Sequence, residues 1–272
     1  MNNNRKLLFF DIDGTLLTAY PWSIPESTRK ALEAARKNGH LLFVNSGRTY
    51  AMISPMVKEL GFDGYVCGCG SQIYMNNELL FSSSNPNPLC REVIETLRQC
   101  RISAFFERPD KILYDGSSKT LPKAIQNLKA EVSVEDLSLY EEETWNTFTF
   151  DKFLAFPDKD SDTETFRRFV GEHFSCFIHD DAAWEITQKN YSKATGIQFL
   201  ADRLGASPED TFAFGDSTND LPMLEYAGIS IAMGQSDPMI LPHCTYQTTS
   251  IDEDGIANAM KHFHLILPIC LI

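Results

Sequence analysis

No apolar run in the 272-residue chain approaches the roughly 20 residues that a bilayer-spanning helix requires. No membrane partner is therefore expected. The opening MNNNRKLLFF lacks a long apolar stretch followed by a small-residue cleavage site, so no secretory signal and a cytoplasmic location are expected. Basic residues are in short supply, with 24 Lys and Arg against 37 Asp and Glu, a formal charge of -13. No Lys/Arg cluster stands out, which argues against a nucleic-acid partner. The same charge repels an anionic substrate at long range, so a site for one must carry local positive charge. Paired zinc-type cysteines are also missing. Cys67 and Cys69 sit close together, but Cys90, Cys100, Cys176, Cys244 and Cys270 are scattered, and no second pair or paired His accompanies them. Reduced, mostly buried thiols are expected. There is no internal repeat and no low-complexity segment.

What is present is a hydrophobic fraction of 43%, enough for a sizeable core in one large domain or two modest ones. Residues 6–10, KLLFF, form an apolar run ending at an Asp-rich turn, as a buried strand would. Residues 25–38 read as a helix with Pro25 in its first turn, Ser23 as its cap and Gly39 at its end. HLLFVN (40–45) is a second strand. A helical stretch follows over 49–60, then a third strand around 65–67. This strand–helix alternation predicts a parallel sheet with right-handed crossovers. The far end repeats the pattern. Helices are expected over 195–204, 220–226 and 254–263, with strands over 211–215 and 229–233. The apolar tail HLILPICLI reads as an edge strand or a contact surface.

The middle differs. SSSNPNP (82–88) has linker composition. After it come helices over 88–100, 119–130 and 161–172. Strands are expected over 102–107, 111–114, 147–156, 174–179 and 183–187. This reads as a mixed α+β insert between the two halves of one core.

Chemistry concentrates at four places. FFDIDGTL (9–16) puts Asp11 and Asp13 at the end of a buried strand, where Gly14 loosens the backbone. Buried carboxylates there are costly unless compensated, and a hard cation such as Mg²⁺ compensates them. An Asp beside such a cation can attack phosphorus in line, and a second Asp can hold the leaving group's proton. Alone, this motif also fits an acidic turn or a calcium loop. FVNSGR (43–48) again ends a strand with polar groups. The Ser46 hydroxyl, the amides from Gly47 onward and Arg48 form a phosphate cradle, or simply a Ser-Gly turn capping a helix. Lys193, in KNYSKATGI, starts a helix. A cation there is unfavourable unless an anion is present, although an exposed lysine is the plainer reading. FAFGDSTNDLPML (212–224) carries Asp216 to a strand end like that of Asp11, where open α/β sheets bind ligands. Asn219 and Asp220 follow, and Asp220 also suits a simple helix-start carboxylate.

In this order and at these strand ends, the four resemble the haloacid dehalogenase superfamily, closest to its Cof-type sugar phosphatases with a type IIB cap. AMGQSDP (232–238) and DEDGI (252–256) also fall where the family pattern places them. The resemblance implies an α/β fold, a Rossmann-like parallel-sheet core over 1–83 and 188–272 with a substrate-selecting α+β cap over 84–187. It implies Asp11 as nucleophile and Asp13 as general acid/base. Asp11, Asp216 and the Asp13 main-chain carbonyl would bind Mg²⁺. Ser46, Gly47, Arg48, Lys193 and Asn219 would bind phosphate, with Asp220 supporting the metal groups from behind. Two positions depart from the family pattern. Cys69 stands where Asn is usual before Gly70, and Ala194 stands where Gly usually follows the lysine.

The implied partner is a small phosphorylated metabolite such as a sugar phosphate, handled by a monomer or weak homo-oligomer. A phosphotransferase or phosphomutase of the same superfamily is the alternative. A phospho-acceptor signalling module shares the Asp, hydroxyl and Lys set, but it has neither the GDSTND loop nor a cap. Glu185, Gln188 and Arg108 are candidate cap contacts, each more simply read as a surface residue.

Overall fold

A computed structural model describes residues 5–116, 132–178 and 183–266. The helix expected over 119–130 and the tail from 267 lie outside the described residues. The chain forms two compact units. The first comprises Met1–Gly47, Ile53–Phe81 and Ser192–Ile272; the second comprises Arg48–Met52 and Ser82–Tyr191. The short segment Arg48–Met52 thus groups with the second unit, whereas the sequence division placed it within 1–83.

In chain order the strands are β1 (Leu7–Phe10), β2 (Leu41–Asn45), β3 (Gly64–Cys67), β4 (Gln72–Met75), β5 (Glu78–Ser82), β6 (Ser103–Glu107) and β7 (Ile112–Tyr114). They continue as β8 (Val134–Asp136), β9 (Lys152–Phe156), β10 (Phe174–Ile178), β11 (Trp184–Gln188), β12 (Thr211–Gly215), β13 (Ile229–Ala232) and β14 (Tyr246–Gln247).

The first unit is built on one sheet of order β14-β13-β12-β1-β2-β3-β4-β5. From β14 to β3 every neighbour is parallel, and β4 runs antiparallel to β3. All four residues of β1 are buried, as a parallel strand covered on both faces requires. The helix Glu26–Lys37 covers the sheet with Thr28, Ala31, Leu32 and Ala35, the three-four spacing of one helical face. Phe9 stacks on Phe43 with ring centroids 4.9 Å apart, and Phe10 stacks on Phe214 at 4.6 Å. Phe10 lies in register with Val44 on one side and Phe214 on the other. That register brings the chain just after β1, β2 and β12 to a common carboxyl edge.

The expected core strands and helices form, with local differences. Ser23 does not cap the first helix. Its N–H donates to Thr18 Oγ1 (3.0 Å), and Pro25 holds the cap position instead. The stretch 49–60 is not one helix. A 3-10 turn at Tyr50–Met52 and a short helix at Pro55–Lys58 flank Ser54, whose extended backbone before Pro55 breaks the run. The pair β4–β5 was not anticipated, although Asn76 and Asn77, both with positive φ, mark a two-residue hairpin turn between alternating residues. β8, β14 and the helix Glu142–Trp145 also went unanticipated, being too short for a periodic signal.

His40 precedes β2 and is buried. Its Nδ1 accepts the Lys6 N–H at 3.2 Å, tying β2 to the entry of β1. Burial holds its pKa below the ordinary 6.5, against a partial upward pull from the Leu265 carbonyl. The folded protein therefore binds fewer protons here than the unfolded chain, so the stabilisation from His40 is present above pH 6.5 and is lost as pH falls through the lowered value. In urea titrations between about pH 8 and pH 5, the stability gap between the native chain and a His40→Gln variant should narrow on acidification. A gap independent of pH would contradict this.

The second unit holds a sheet of order β10-β11-β9-β6-β7-β8, antiparallel except for the parallel pair β7–β8. One face packs on the helices Asn87–Cys100 and Thr163–His173 through an aromatic core including Phe106, Phe150, Phe153, Phe166 and Trp184. The opposite face carries charge. Glu107 lies in register with Lys152, whose Nζ is 3.6 Å from Glu107 Oε1 and also pairs with Glu185. Glu185 is buried, not a surface residue, because Lys152 compensates its charge. Gln188 is used structurally, donating to Ser83 O (2.8 Å) and Asp151 O (3.2 Å), and Arg108 donates to Thr149 O (3.3 Å). Thr49 donates its hydroxyl (2.8 Å) and its N–H (3.3 Å) to Glu107 Oε2, which anchors the Arg48–Met52 segment in this unit.

Candidate active site

The carboxyl edge of the first unit's sheet collects the acidic motifs. Asp11 follows β1 and is held at that edge by its N–H bond to Phe214 O (3.0 Å). Asp216 follows the neighbouring β12. Gly14 has φ +81°, and a Cβ there would collide with the Asp216 carboxylate, so only glycine lets the two loops approach this closely. Thr15 Oγ1 completes the contact by donating to Asp216 Oδ1 at 3.1 Å.

Lys193 is the first residue of the helix Lys193–Leu204, whose Ser192 cap accepts the Thr195 N–H. Its side chain is fully buried. Nζ donates to Asp11 Oδ1 (2.7 Å), to Asn219 Oδ1 (3.3 Å) and to Asp220 Oδ1. The exposed-lysine reading is therefore excluded. Asp220 is equally buried, and its Oδ2 accepts the N–H groups of Asp216 (2.9 Å) and Ser217 (3.1 Å). It links the lysine to the Asp216 loop and, as a helix-start carboxylate, also closes a capping box with Ser217. Asn219 Oδ1 also accepts from Ser217 Oγ (2.8 Å), so any phosphate contact falls to its amide donors.

Ser46 follows β2 and is buried. Its N–H donates to Val66 O (2.9 Å), and its carbonyl accepts from Cys69 N–H (3.1 Å). Cys69 has φ 53°, the left-handed conformation that Asn adopts more readily than most residues with a side chain. Gly47 closes the first unit's segment, while Arg48 belongs to the second unit, where it donates to Met52 O at 3.3 Å. Asp13 is exposed, its backbone bridged to Leu17.

Oxygen atoms of Asp11, Asp216 and Asp220 all lie within 4.8 Å of one another. Fully ionised, the three carboxylates would leave two negative charges in surplus over the one ammonium of Lys193. Burial, followed by repulsion from Asp220, pushes the Asp11 carboxyl well above its ordinary range, and Lys193 pulls it back only in part. Burial and Asp220 likewise raise Asp216 to about 7. For Lys193, burial opposes the charge, but Asp11 and Asp220 outweigh it and hold the ammonium protonated. A hard divalent cation fits this donor set, since it takes oxygen ligands and balances the surplus.

Two participants escaped sequence reasoning. Thr15 reads as a turn residue until Asp216, 201 positions away, is placed beside it. Asn45, fully buried at the end of β2, donates from Nδ2 to the Lys193 carbonyl at 2.9 Å and steadies the helix start from which the lysine projects. No local signal distinguishes it, because its partner is 148 positions away.

A parallel sheet with acids from two neighbouring strands, a buried lysine between them and a separate α+β unit define a class. The haloacid dehalogenase-like hydrolase family model matches residues 8–260, and the chain belongs to that family. YkrA of Bacillus subtilis (strain 168), named among the phosphatases, is 29% identical over 265 residues, covering 97% of this chain and 99% of YkrA. Pyridoxal phosphate phosphatase YbhA of Escherichia coli (strain K12) is 26% identical over 281 residues, 96% of this chain and 99% of YbhA. Among solved structures, the subclass IIB sugar phosphatase BT4131 superposes with a TM-score of 0.81 at 28% identity, covering 96% of this chain and 100% of that one. The Cof-type assignment, the core-plus-cap fold and the expectation of a phosphatase stand on these likenesses. Among the described residues no helix is long and apolar enough to cross a membrane.

Proposed function

We propose that the chain is a magnesium-dependent phosphomonoester hydrolase that works through an aspartyl-phosphate on Asp11. The observation that carries this reading is the cluster of Asp11, Asp220 and Lys193, all buried, with the half-buried Asp216, in which the carboxylates outnumber the ammonium three to one. Asp11 and Asp216, with the main-chain carbonyl of Asp13, would hold Mg²⁺, which offsets charge on the carboxylates and on the phosphoryl oxygens when bound.

The chain's own residues do the rest. Lys193 holds Asp11 Oδ1 and orients the carboxylate. Asp11 forms a bond to phosphorus as the ester P–O bond breaks, and Asp13 gives its proton to the departing alcohol oxygen. Asp13, now a carboxylate, takes a proton from the water that attacks the aspartyl-phosphate. This releases inorganic phosphate and restores both acids. Ser46, Gly47, Asn219 and Lys193 bind the phosphoryl oxygens, with Arg48 as a further cation and Asp220 steadying Lys193. The second unit acts as the cap that selects the leaving group.

Chelation with EDTA should stop phosphate release, and added Mg²⁺ should restore it. Turnover indifferent to chelation would contradict the metal role. Relatives named for sugar phosphates and pyridoxal phosphate define the first substrate panel. Release of inorganic phosphate across that panel supports hydrolysis, whereas transfer to a second sugar without release would show a phosphotransferase.

A further inference from the structure

The AMGQSDP segment has no part in the reaction above, yet it touches both acid-bearing loops. Met233 N–H donates to Gly215 O (3.0 Å), Ser236 Oγ donates to the same carbonyl (3.4 Å), and Asp237 N–H donates to Asp216 O (2.8 Å). These bonds hold the loop after β12. Gln235 reaches the other loop. Its Nε2 donates to Gly14 O, and its Oε1 accepts the Ile251 N–H at 3.0 Å. Four of the five residues 233–237 thus bind the backbone on either side of the carboxylate pair.

The bond to Gly14 falls at a sensitive point. Gly14 has φ +81° and no Cβ to restrict its flanking peptides; within the loop Gly14 N–H donates to Leu17 O (2.9 Å) and Thr15 N–H donates to Ile12 O (3.3 Å), and Gln235 supplies the donor for the Gly14 carbonyl from outside it. Its neighbours in sequence are Asp13, the proposed proton carrier, and Thr15, which binds Asp216 Oδ1. A shift there would move the Asp13 carbonyl and the Thr15 hydroxyl together. Gln235 is itself exposed, so its contribution is directional hydrogen bonding rather than packing.

The geometry points to Gln235 as a positioning residue that fixes the gap between the Asp11–Asp13 loop and the Asp216 loop, and through it the affinity of the carboxylate cluster for a divalent cation. This rests on the magnesium reading of the site. Partners that orient ligating groups typically cost about 10–100-fold in metal affinity when removed.

The test is Mg²⁺ titration of the metal-free full-length protein by calorimetry, for the native chain and for Gln235→Ala and Gln235→Met. Met keeps the side-chain length but has no amide to donate. Both variants should bind Mg²⁺ at least about 10-fold more weakly, while their metal-free thermal midpoints stay within roughly 2 °C of the native value. In turnover, kcat at fixed sub-saturating Mg²⁺ should fall, and raising Mg²⁺ should recover most of it, with KM for the phosphate ester little changed. If both variants bind Mg²⁺ as tightly as the native chain, the positioning role is wrong. A metal-free midpoint that falls sharply with no further loss of Mg²⁺ affinity also overturns it, because Gln235 would then be merely structural. If the native chain itself binds no Mg²⁺, the metal reading of the site fails first, and this inference fails with it.

Discussion

An Asp11→Asn protein should fold and lose turnover by on the order of 10⁴–10⁶-fold, the scale seen when a covalent nucleophile is removed. The amide keeps the shape of the carboxylate but cannot form an acyl-phosphate. The effect on stability should run the other way. Burial, Asp220, Asp13 and Asp216 all disfavour the ionised form of Asp11, and Lys193 offsets only part of that. A neutral Asn relieves this repulsion, so the metal-free thermal midpoint near pH 7.5 should equal or exceed that of the native chain. Activity within about 10-fold of native would show that Asp11 is not the nucleophile. A large fall in the midpoint would show that its pairing with Lys193 outweighs the carboxylate repulsion.

Removing the lysine should damage both activity and stability. Lys193→Met takes the ammonium from between Asp11 and Asp220 and leaves three close carboxylates without a protein cation. Breaking a buried pair from one side costs about 3–5 kcal/mol. Turnover should fall by at least about 100-fold, since both the orientation of Asp11 and a phosphate-binding charge are lost.

The stability loss should depend on pH with a definite sign. Asp11 and Asp216 have raised values in the fold, so their protonated forms are favoured there. Their contribution is intact at low pH and is lost as pH rises from the ordinary carboxylate value of 3.8 through about 7 for Asp216. Without Lys193 this penalty grows. In the metal-free state, the variant's deficit should therefore be larger near pH 8 than near pH 5, as read by urea titration. A deficit that grows on acidification would mean that Lys193 mainly serves packing.

The gathering of the acidic motifs at one edge was legible because the Asp11, Ser46 and Asp216 motifs each end a buried strand, and parallel topology sends those ends to one place. Asp11 and Asp216 meet for that reason, and Lys193 joins them from a helix start 182 positions away from Asp11. Asp220 was read too cautiously, since its burial depends on a lysine that only the fold supplies. Thr15, Asn45 and Gln235 were beyond local reasoning, because a threonine in a turn, an asparagine at a strand end and an exposed glutamine are individually ordinary. Their roles come from partners 201, 148 and 221 positions away. The β4–β5 hairpin is different. Its Asn76-Asn77 turn was a usable signal, masked by the weak apolar alternation of β5, none of whose residues is buried. Glu185 was misjudged because a glutamate in a strand reads as solvent-facing until Lys152 is placed beside it.

The most direct test of the covalent role is chemical trapping of the intermediate. The protein is mixed with p-nitrophenyl phosphate and Mg²⁺, quenched during turnover and reduced with borohydride, and its peptides are then mapped by mass spectrometry. An acyl-phosphate on Asp11 should be reduced to homoserine at that position, only when substrate and metal are both present. Turnover without any modification of Asp11, or with an acyl-phosphate trapped on another carboxylate, would contradict the account.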